Sequence, residues 1–363
     1  MDLSRLQATS KVTDEWAYPQ EAARASGMLA VDRDPDHTLY WEEYGHPDGE
    51  PVMVLHGGPG GACSPVLSRF FDPARYRVIL FDQRGCGKSR PNVARDGADL
   101  ALAKNSTDEL VADINRLRQA LDISGRMHVF GGSWGSTLAL VYAIRHPEAV
   151  ASLILRGIFL GERADLAYMY QGNAATWTGQ PFALTQPGSY VAYPDEWKAF
   201  VEIIPPEDRG DMMGAYKAIF DSRPTGEAGR AKQLEAAVAW SVWEGTISHA
   251  VPPVAGPDRN AEADFALSFA QIEAHFFAND LFLAPDYVLD HVARLAGIAI
   301  HIVHGRFDQV TPLNQASALV AALAAAGSPV RSFIKTHAGH SALEGQTVLA
   351  LTAVMDGLEA IGG

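Results

Sequence analysis

The sequence predicts an α/β protein: a mostly parallel sheet with helices on both faces, and an inserted helical domain. Three observations lead there. Short apolar runs of strand length alternate with helical segments between residues 51 and 155, and the alternation returns at residue 299. From about 161 to 289 it stops, and Trp, Tyr and Phe gather in helix-like sequence without strand runs. Finally, the apolar stretch 127–130 runs into Gly131-Gly132-Ser133-Trp134-Gly135 and straight on into a helix. Parallel strands buried on both faces read as continuous apolar runs, because crossover helices cover them.

In chain order, residues 1–27 read as an irregular N-terminal extension. Runs 28–31 and 38–41 flank the turn signal Asp34-Pro35-Asp36, which predicts a hairpin. Residues 51–55 form an apolar strand that enters His56-Gly57-Gly58-Pro59-Gly60-Gly61, a loop whose backbone N–H groups are free to face a ligand. A buried strand over 76–81 precedes Asp82-Gln83-Arg84-Gly85-Cys86-Gly87-Lys88-Ser89-Arg90-Pro91. Ser106 caps the next helix, with Val111, Ile114, Leu117 and Leu121 on one face. Further strands are expected over 151–155, 299–304 and 330–334, with helices over about 313–326 and after Ser341. Pro205-Pro206 and Pro252-Pro253 read as joints inside the helical region. The expected organisation is an extension over 1–27, a core over 28–160 resumed over 291–363, and a helical insertion over 161–290.

The 363 residues are 47% hydrophobic, enough to bury a substantial core, and carry a net charge of −14. That charge argues against nucleic acid and anionic membrane surfaces as partners. Two cysteines, Cys63 and Cys86, make neither a disulfide framework nor a metal-type spacing. The first thirty residues contain no apolar signal-like region, and no apolar run would span a bilayer, so a soluble cytoplasmic protein is expected. No metal and no cofactor is expected.

Gly85-Cys86-Gly87-Lys88-Ser89 imitates a phosphate-binding loop. The pattern would need glycine where Asp82 stands, and Arg90-Pro91 blocks the helix that should follow. His301 and His304 lie three apart on a strand, so they face opposite sides and do not form a metal pair. The stronger signal is a constellation. In G-x-S-x-G the serine sits on a strained strand-to-helix turn, and the glycines let strand and helix approach. A serine nucleophile needs a histidine base, and that base needs an orienting carboxylate. Asp308 follows the strand over 299–304, while His337 and His340 follow the strand over 330–334. The chain order Ser133, Asp308, His340 follows, with His340 preferred to His337 because Gly339 lets the loop turn. Acyl transfer also needs oxyanion donors; the N–H groups of Trp134 and of Gly58 are the candidates.

These segments together resemble the proline iminopeptidases, serine aminopeptidases of the α/β-hydrolase superfamily. The resemblance rests on residues 56–61, 81–91 and 131–140, on Leu155-Arg156-Gly157-Ile158-Phe159, on Trp240-Ser241-Val242-Trp243-Glu244-Gly245, and on residues 265–273 and 303–308. It covers most of the chain from about Gly27. It implies an α/β-hydrolase fold with a helical cap, cleavage of an N-terminal proline from a small peptide, and binding of the substrate amine by Glu244 and Glu273. Two carboxylates in apolar, aromatic surroundings are costly unless a cation matches them. Phe159 is a candidate wall for the proline ring, and Arg156 a candidate partner near the glutamates. The segment over about 171–195 and the first 26 residues exceed the family pattern. An esterase, an amidase or an aminopeptidase for other small residues on the same fold is the alternative; an idle binding protein is the second class. The sequence leaves the oligomeric state open.

Overall fold

The computed structural model describes residues 17–179, 186–222, 226–251 and 259–361. Eight strands form one sheet: β1 (Ala25–Ala30), β2 (Thr38–Gly45), β3 (Glu50–Leu55), β4 (Tyr76–Phe81), β5 (Met127–Ser133), β6 (Val150–Ile158), β7 (Ala299–Gly305) and β8 (Ser332–Thr336). Their spatial order is β1-β2-β4-β3-β5-β6-β7-β8. The expected hairpin is there: β1 and β2 pair antiparallel, and β2 pairs antiparallel with β4. Every other pairing is parallel.

The apolar runs divide cleanly between two cores. Met53, Leu55, Ile79, Phe81, Met127 and Val129 face one; Val52, Val54, Val78, Leu80 and Phe130 face the other. Successive side chains of a strand point to opposite faces, so a run apolar at every position is a strand covered on both sides. Helix α1 (Thr107–Ala120) covers the first face; Ser106 caps it through Glu109 N–H, and Val111, Ile114 and Leu117 are buried. Helix α2 (Trp134–Arg145) follows β5 without a loop.

From β6 to β7 the described elements are helical: α3 (Pro194–Val201), α4 (Met212–Asp221), α5 (Gly226–Ile247) and α6 (Ala263–Ala278), with shorter turns. Their packing is aromatic. Trp197, Phe200, Tyr216, Trp240 and Trp243 interlock at ring-centroid distances of 4.7–6.1 Å. Pro206 opens a short turn over Pro206–Asp208, while Pro252-Pro253 lies outside the described residues. Helices α7 (Leu313–Ala325) and α8 (Gly345–Asp356) close the chain, and α8 packs on the second core through Val348, Leu351 and Met355.

Several strands depart from expectation: β2 and β6 run on past the expected 38–41 and 151–155, to Gly45 and Ile158. Edge strand β1 begins three residues before the apolar run, at Ala25, because pairing with Glu43 rather than apolar patterning recruits Ala25-Ser26-Gly27. Edge strand β8 occupies 332–336 instead of 330–334 and is only half-buried, so periodicity marks it weakly. Among the described residues, no helix is long and apolar enough to cross a membrane. No group of three or more His, Cys, Asp or Glu among them is placed to hold a metal ion.

Candidate active site

Functional groups gather at the C-terminal ends of the parallel strands. Ser133 ends β5 with φ 58° and ψ −130° and is the first residue before α2. A non-glycine residue at positive φ is strained and persists only where its surroundings hold it. The neighbouring glycines do that by removing side chains. A Cβ on Gly131 would stand 2.2 Å from the Gly135 carbonyl oxygen, and one on Gly135 would stand 2.1 Å from that of Leu55. A Cβ on Gly132 would collide with the Arg156 guanidinium at 2.5 Å.

Asp308 follows β7 and is buried. Its Oδ2 meets His340 Nδ1 at 2.8 Å and accepts from Thr311 Oγ1 at 3.1 Å. Its Oδ1 accepts from the N–H groups of Val310 and Thr311 at 3.0 and 2.8 Å. Burial pushes the carboxyl up, but the His340 and His304 imidazoles and these hydrogen bonds win, holding Asp308 below its ordinary value. Burial pulls His340 below the ordinary histidine value, assisted by the Arg156 charge and opposed by Asp308. His337 is exposed and lies beside Phe307, 6.5 Å away, so the structure brings His340 and not His337 to Asp308.

Ser133 and His340 line one cavity of about 300 Å³ with Gly57, Gly58, Arg156, Glu244 and Phe269. Gly57 presses against the serine: a Cβ there would stand 3.0 Å from Ser133 Cβ. Trp134 is the first residue of α2, so its N–H has no carbonyl partner one turn back inside the helix. Trp134 itself is buried; its indole donates to Gln83 Oε1 at 2.9 Å and packs against Phe276.

Glu244 on α5 and Glu273 on α6 are 7% and 0% exposed. Tyr170 Oη lies between the two carboxyls, donating to Glu244 Oε2 and standing 3.3 Å from Glu273 Oε2. Trp240 Nε1 donates to the same Glu273 Oε2 at 2.6 Å, while Glu273 Oε1 has no partner. Burial pushes Glu244 up to about 7; burial and the neighbouring Glu244 push Glu273 well above the carboxylate range. Burial and mutual repulsion thus favour the protonated form at this pair.

Arg156, a candidate partner near the glutamates in the sequence reading, lines the same cavity as Glu244 and donates through Nη1 to the His340 carbonyl at 2.6 Å, over Gly132. Burial pulls its guanidinium down to about 10, still charged at neutral pH. Phe159, read as a ring wall, is buried edge-on against Phe277 at 6.0 Å, and the aromatic side chains lining the Ser133 cavity are Phe130 and Phe269.

Sequence reasoning missed several supports. Thr311 stands three residues after Asp308, the spacing of a side-chain-capped turn, and that spacing was a usable signal. His304 meets Asp308 Oδ2 at 3.5 Å and was set aside as structural. Tyr170 sits in an irregular turn over Ala167–Gln171 that carries no periodic signal.

A family model of the alpha/beta hydrolase fold matches residues 50–346. The chain is 43% identical over 341 residues to a proline iminopeptidase of Xanthomonas citri, covering 94% of this chain and 98% of that one. It is 40% identical over 312 residues to one from Arabidopsis thaliana, covering 85% and 74% of the two chains. The proline iminopeptidase structure from Mycobacterium smegmatis superposes with a TM-score of 0.50 at 22% identity, covering 92% and 98% of the two chains. An esterase from Rhodococcus reaches 0.56 at 18% identity, covering 92% and 99%, so the structural likeness speaks to the fold. With this site geometry on that fold and close similarity along nearly its whole length, the chain belongs to the proline iminopeptidase family of α/β hydrolases.

Proposed function

We propose that the protein is a serine aminopeptidase that releases an N-terminal proline from small peptides through an acyl-enzyme. The observation that carries this reading is the Glu244–Glu273 pair: two buried carboxyls on facing helices, one with an unpartnered oxygen, beside the cavity that holds Ser133. A protonated secondary amine is the group that such a pair is short of. It would let both carboxyls ionise, and charge-assisted hydrogen bonds of this kind contribute roughly 1.5–3 kcal/mol each. A peptide with an internal or blocked proline brings no such cation, which restricts the enzyme to chain ends.

In this reading Ser133 Oγ attacks the prolyl carbonyl while His340 takes its proton, and Asp308 fixes the imidazole tautomer and orientation. The N–H groups of Trp134 and Gly58 receive the oxyanion. His340 then protonates the leaving peptide amine, and water repeats the sequence on the acyl-enzyme. Arg156 serves indirectly, by holding the His340 carbonyl.

The test compares kcat/KM for a prolyl amide with that for a neutral ester of similar size. Ser133→Ala should abolish both. Glu244→Gln and Glu273→Gln should each lower the amide value about tenfold to a hundredfold, the kinetic equivalent of roughly 1.5–3 kcal/mol, and barely touch the ester. An amide-to-ester ratio unchanged in both glutamine variants would discard the amine anchor and promote the esterase reading.

A further inference from the structure

The segment Asp82–Pro91 that imitates a phosphate loop is not consumed by the mechanism above, yet one of its residues touches both halves of the proposed oxyanion hole. Gln83 is buried and stands two residues past the end of β4. Its side-chain Oε1 accepts from the Trp134 indole at 2.9 Å, and its Nε2 donates to the His56 carbonyl at 3.0 Å. Its own backbone N–H donates to His56 Nε2 at 3.0 Å. One residue thus joins the start of α2, which carries the first oxyanion donor, to the loop after β3, which carries the second.

The chemistry of that loop makes the link directional. A backbone N–H can only donate, so His56 Nε2 is the bare nitrogen and Nδ1 carries the proton. Nδ1 then donates to the Gly57 carbonyl at 2.9 Å, and the Gly61 N–H donates to the same oxygen at 3.0 Å. In a trans peptide the carbonyl and the following N–H point in opposite directions. Fixing the Gly57 carbonyl toward His56 and Gly61 therefore fixes the Gly58 N–H the other way. Likewise, the bond from Gln83 Nε2 fixes the His56 carbonyl and turns the Gly57 N–H away from it. Gly58 has φ +107°, and a Cβ on it would stand 2.7 Å from Gly60 N, so the loop has little freedom to correct a lost restraint.

We infer that Gln83 is a positioning residue for the oxyanion hole, holding the Trp134 and Gly58 N–H groups at one separation through the Trp134 indole and the His56 peptide. The inference rests on the serine-hydrolase reading of the site but not on its preference for proline. Removing an oxyanion donor costs about a hundredfold to a thousandfold in kcat; a donor misaimed rather than deleted should cost less, roughly tenfold to a hundredfold. Four proteins are compared: wild type, Gln83→Met, Trp134→Phe and the double variant. Gln83→Met keeps length and bulk but neither hydrogen bond; Trp134→Phe keeps much of the packing on Phe276 and loses only the donor to Gln83.

Each is measured with a prolyl amide, a neutral ester, free L-proline as a ground-state competitor, and a prolyl boronate. In the boronate adduct Ser133 Oγ bonds to boron and its proton passes to His340, leaving a four-coordinate borate, negative overall, one of whose hydroxyl oxygens occupies the oxyanion position. The expected result is a fall in kcat for both substrates with KM near wild type. Boronate affinity should be lost in proportion, L-proline inhibition unchanged, and the double variant no worse than the poorer single one. Wild-type kcat in both single variants, multiplicative losses in the double, or a loss that falls equally on L-proline would overturn it. Should Gln83→Met fail to fold, Trp134→Phe decides alone by the same criteria. Failure of the wild type to cleave the prolyl amide while hydrolysing the ester would reject the proposed function and leave this test intact.

Discussion

Gly157 has no side chain, and His340 stands where one would go. The residue has φ +53°, and a Cβ on it would lie 2.8 Å from His340 Cε1 and 3.0 Å from Nδ1. Gly157→Ala should therefore push the imidazole off Asp308, lowering kcat on amide and ester alike by about tenfold or more, since small displacements of a catalytic group have large kinetic costs. Folding by circular dichroism should be retained; activity within twofold of wild type would show that His340 has room to spare. The protonation states at the site make a second residue-scale prediction. Burial lowers His340, so the protonated, inactive base disappears below the ordinary histidine value of about 6.5. For a neutral ester, kcat/KM should rise with pH through a midpoint on the acid side of that value. On the proposed amine anchor the Glu244–Glu273 pair, with Glu244 pushed up to about 7, must also give up a proton, so the prolyl-amide profile should rise later, through about 7, and fall once the substrate amine deprotonates. Superimposed rising limbs for the two substrates would contradict this.

At the scale of elements, helices α5 and α6 meet through an arrangement that costs stability. Glu273 is buried against Trp240 and Tyr170 with one carboxyl oxygen unpartnered. Its folded-state pKa is raised, so between the unfolded carboxyl value and the folded one the unfolded chain binds fewer protons. The stability held at acid pH is thus lost as pH rises through that window. Glu273→Gln removes the titration. Its melting temperature should exceed that of the wild type at pH 7–8, and the difference should shrink toward pH 4.5, even as proline cleavage falls. A variant less stable than the parent at pH 8 would show that the carboxylate is better accommodated than its partners suggest. A chain of hydrogen bonds runs from Glu244 to the His340 loop: Ser248 Oγ bonds the Glu244 carbonyl, Ser341 N–H bonds the Ser248 carbonyl, and Glu344 joins Ala250 to Gly339 beside His340.

Across the whole molecule, Arg84 is the buried fastener. Its guanidinium grips Asp113 of α1 at 2.6 and 2.9 Å, the Lys104 carbonyl at 2.7 Å, Glu109 at 3.1 Å, and Asp32 beyond β1 at 3.3 Å. Arg84→Met would leave Asp113 buried with Arg116 alone, and breaking such a pair from one side costs about 3–5 kcal/mol. The denaturation midpoint should fall accordingly, with kcat near wild type in the folded fraction. A stability change under about 1 kcal/mol would mean that water replaces the guanidinium.

What was legible in the sequence follows from locality. Strand β4 reads over the residues it occupies, 76–81, and α1 begins after its Ser106 cap, because burial on both faces and capping are written into consecutive residues. The turn at Ser133 reads directly too, since backbone crowding there admits only glycine at 131 and 135. Chain order and loop position were enough to nominate Asp308 and His340. Gly339 already favoured His340 over His337, but the bond of His340 to Asp308, that of Arg156 to the His340 carbonyl, the burial of Phe159 and the place of Tyr170 between the glutamates are visible only in the tertiary structure. Each depends on where a side chain points after separate elements have packed, and on which residues remote in sequence share its surroundings. The glutamate pair marks the boundary most clearly. Its two members were visible as charges in apolar sequence, but the burial and repulsion that raise their pKa values arise only when α5 and α6 bring them together in the core, 29 positions apart along the chain.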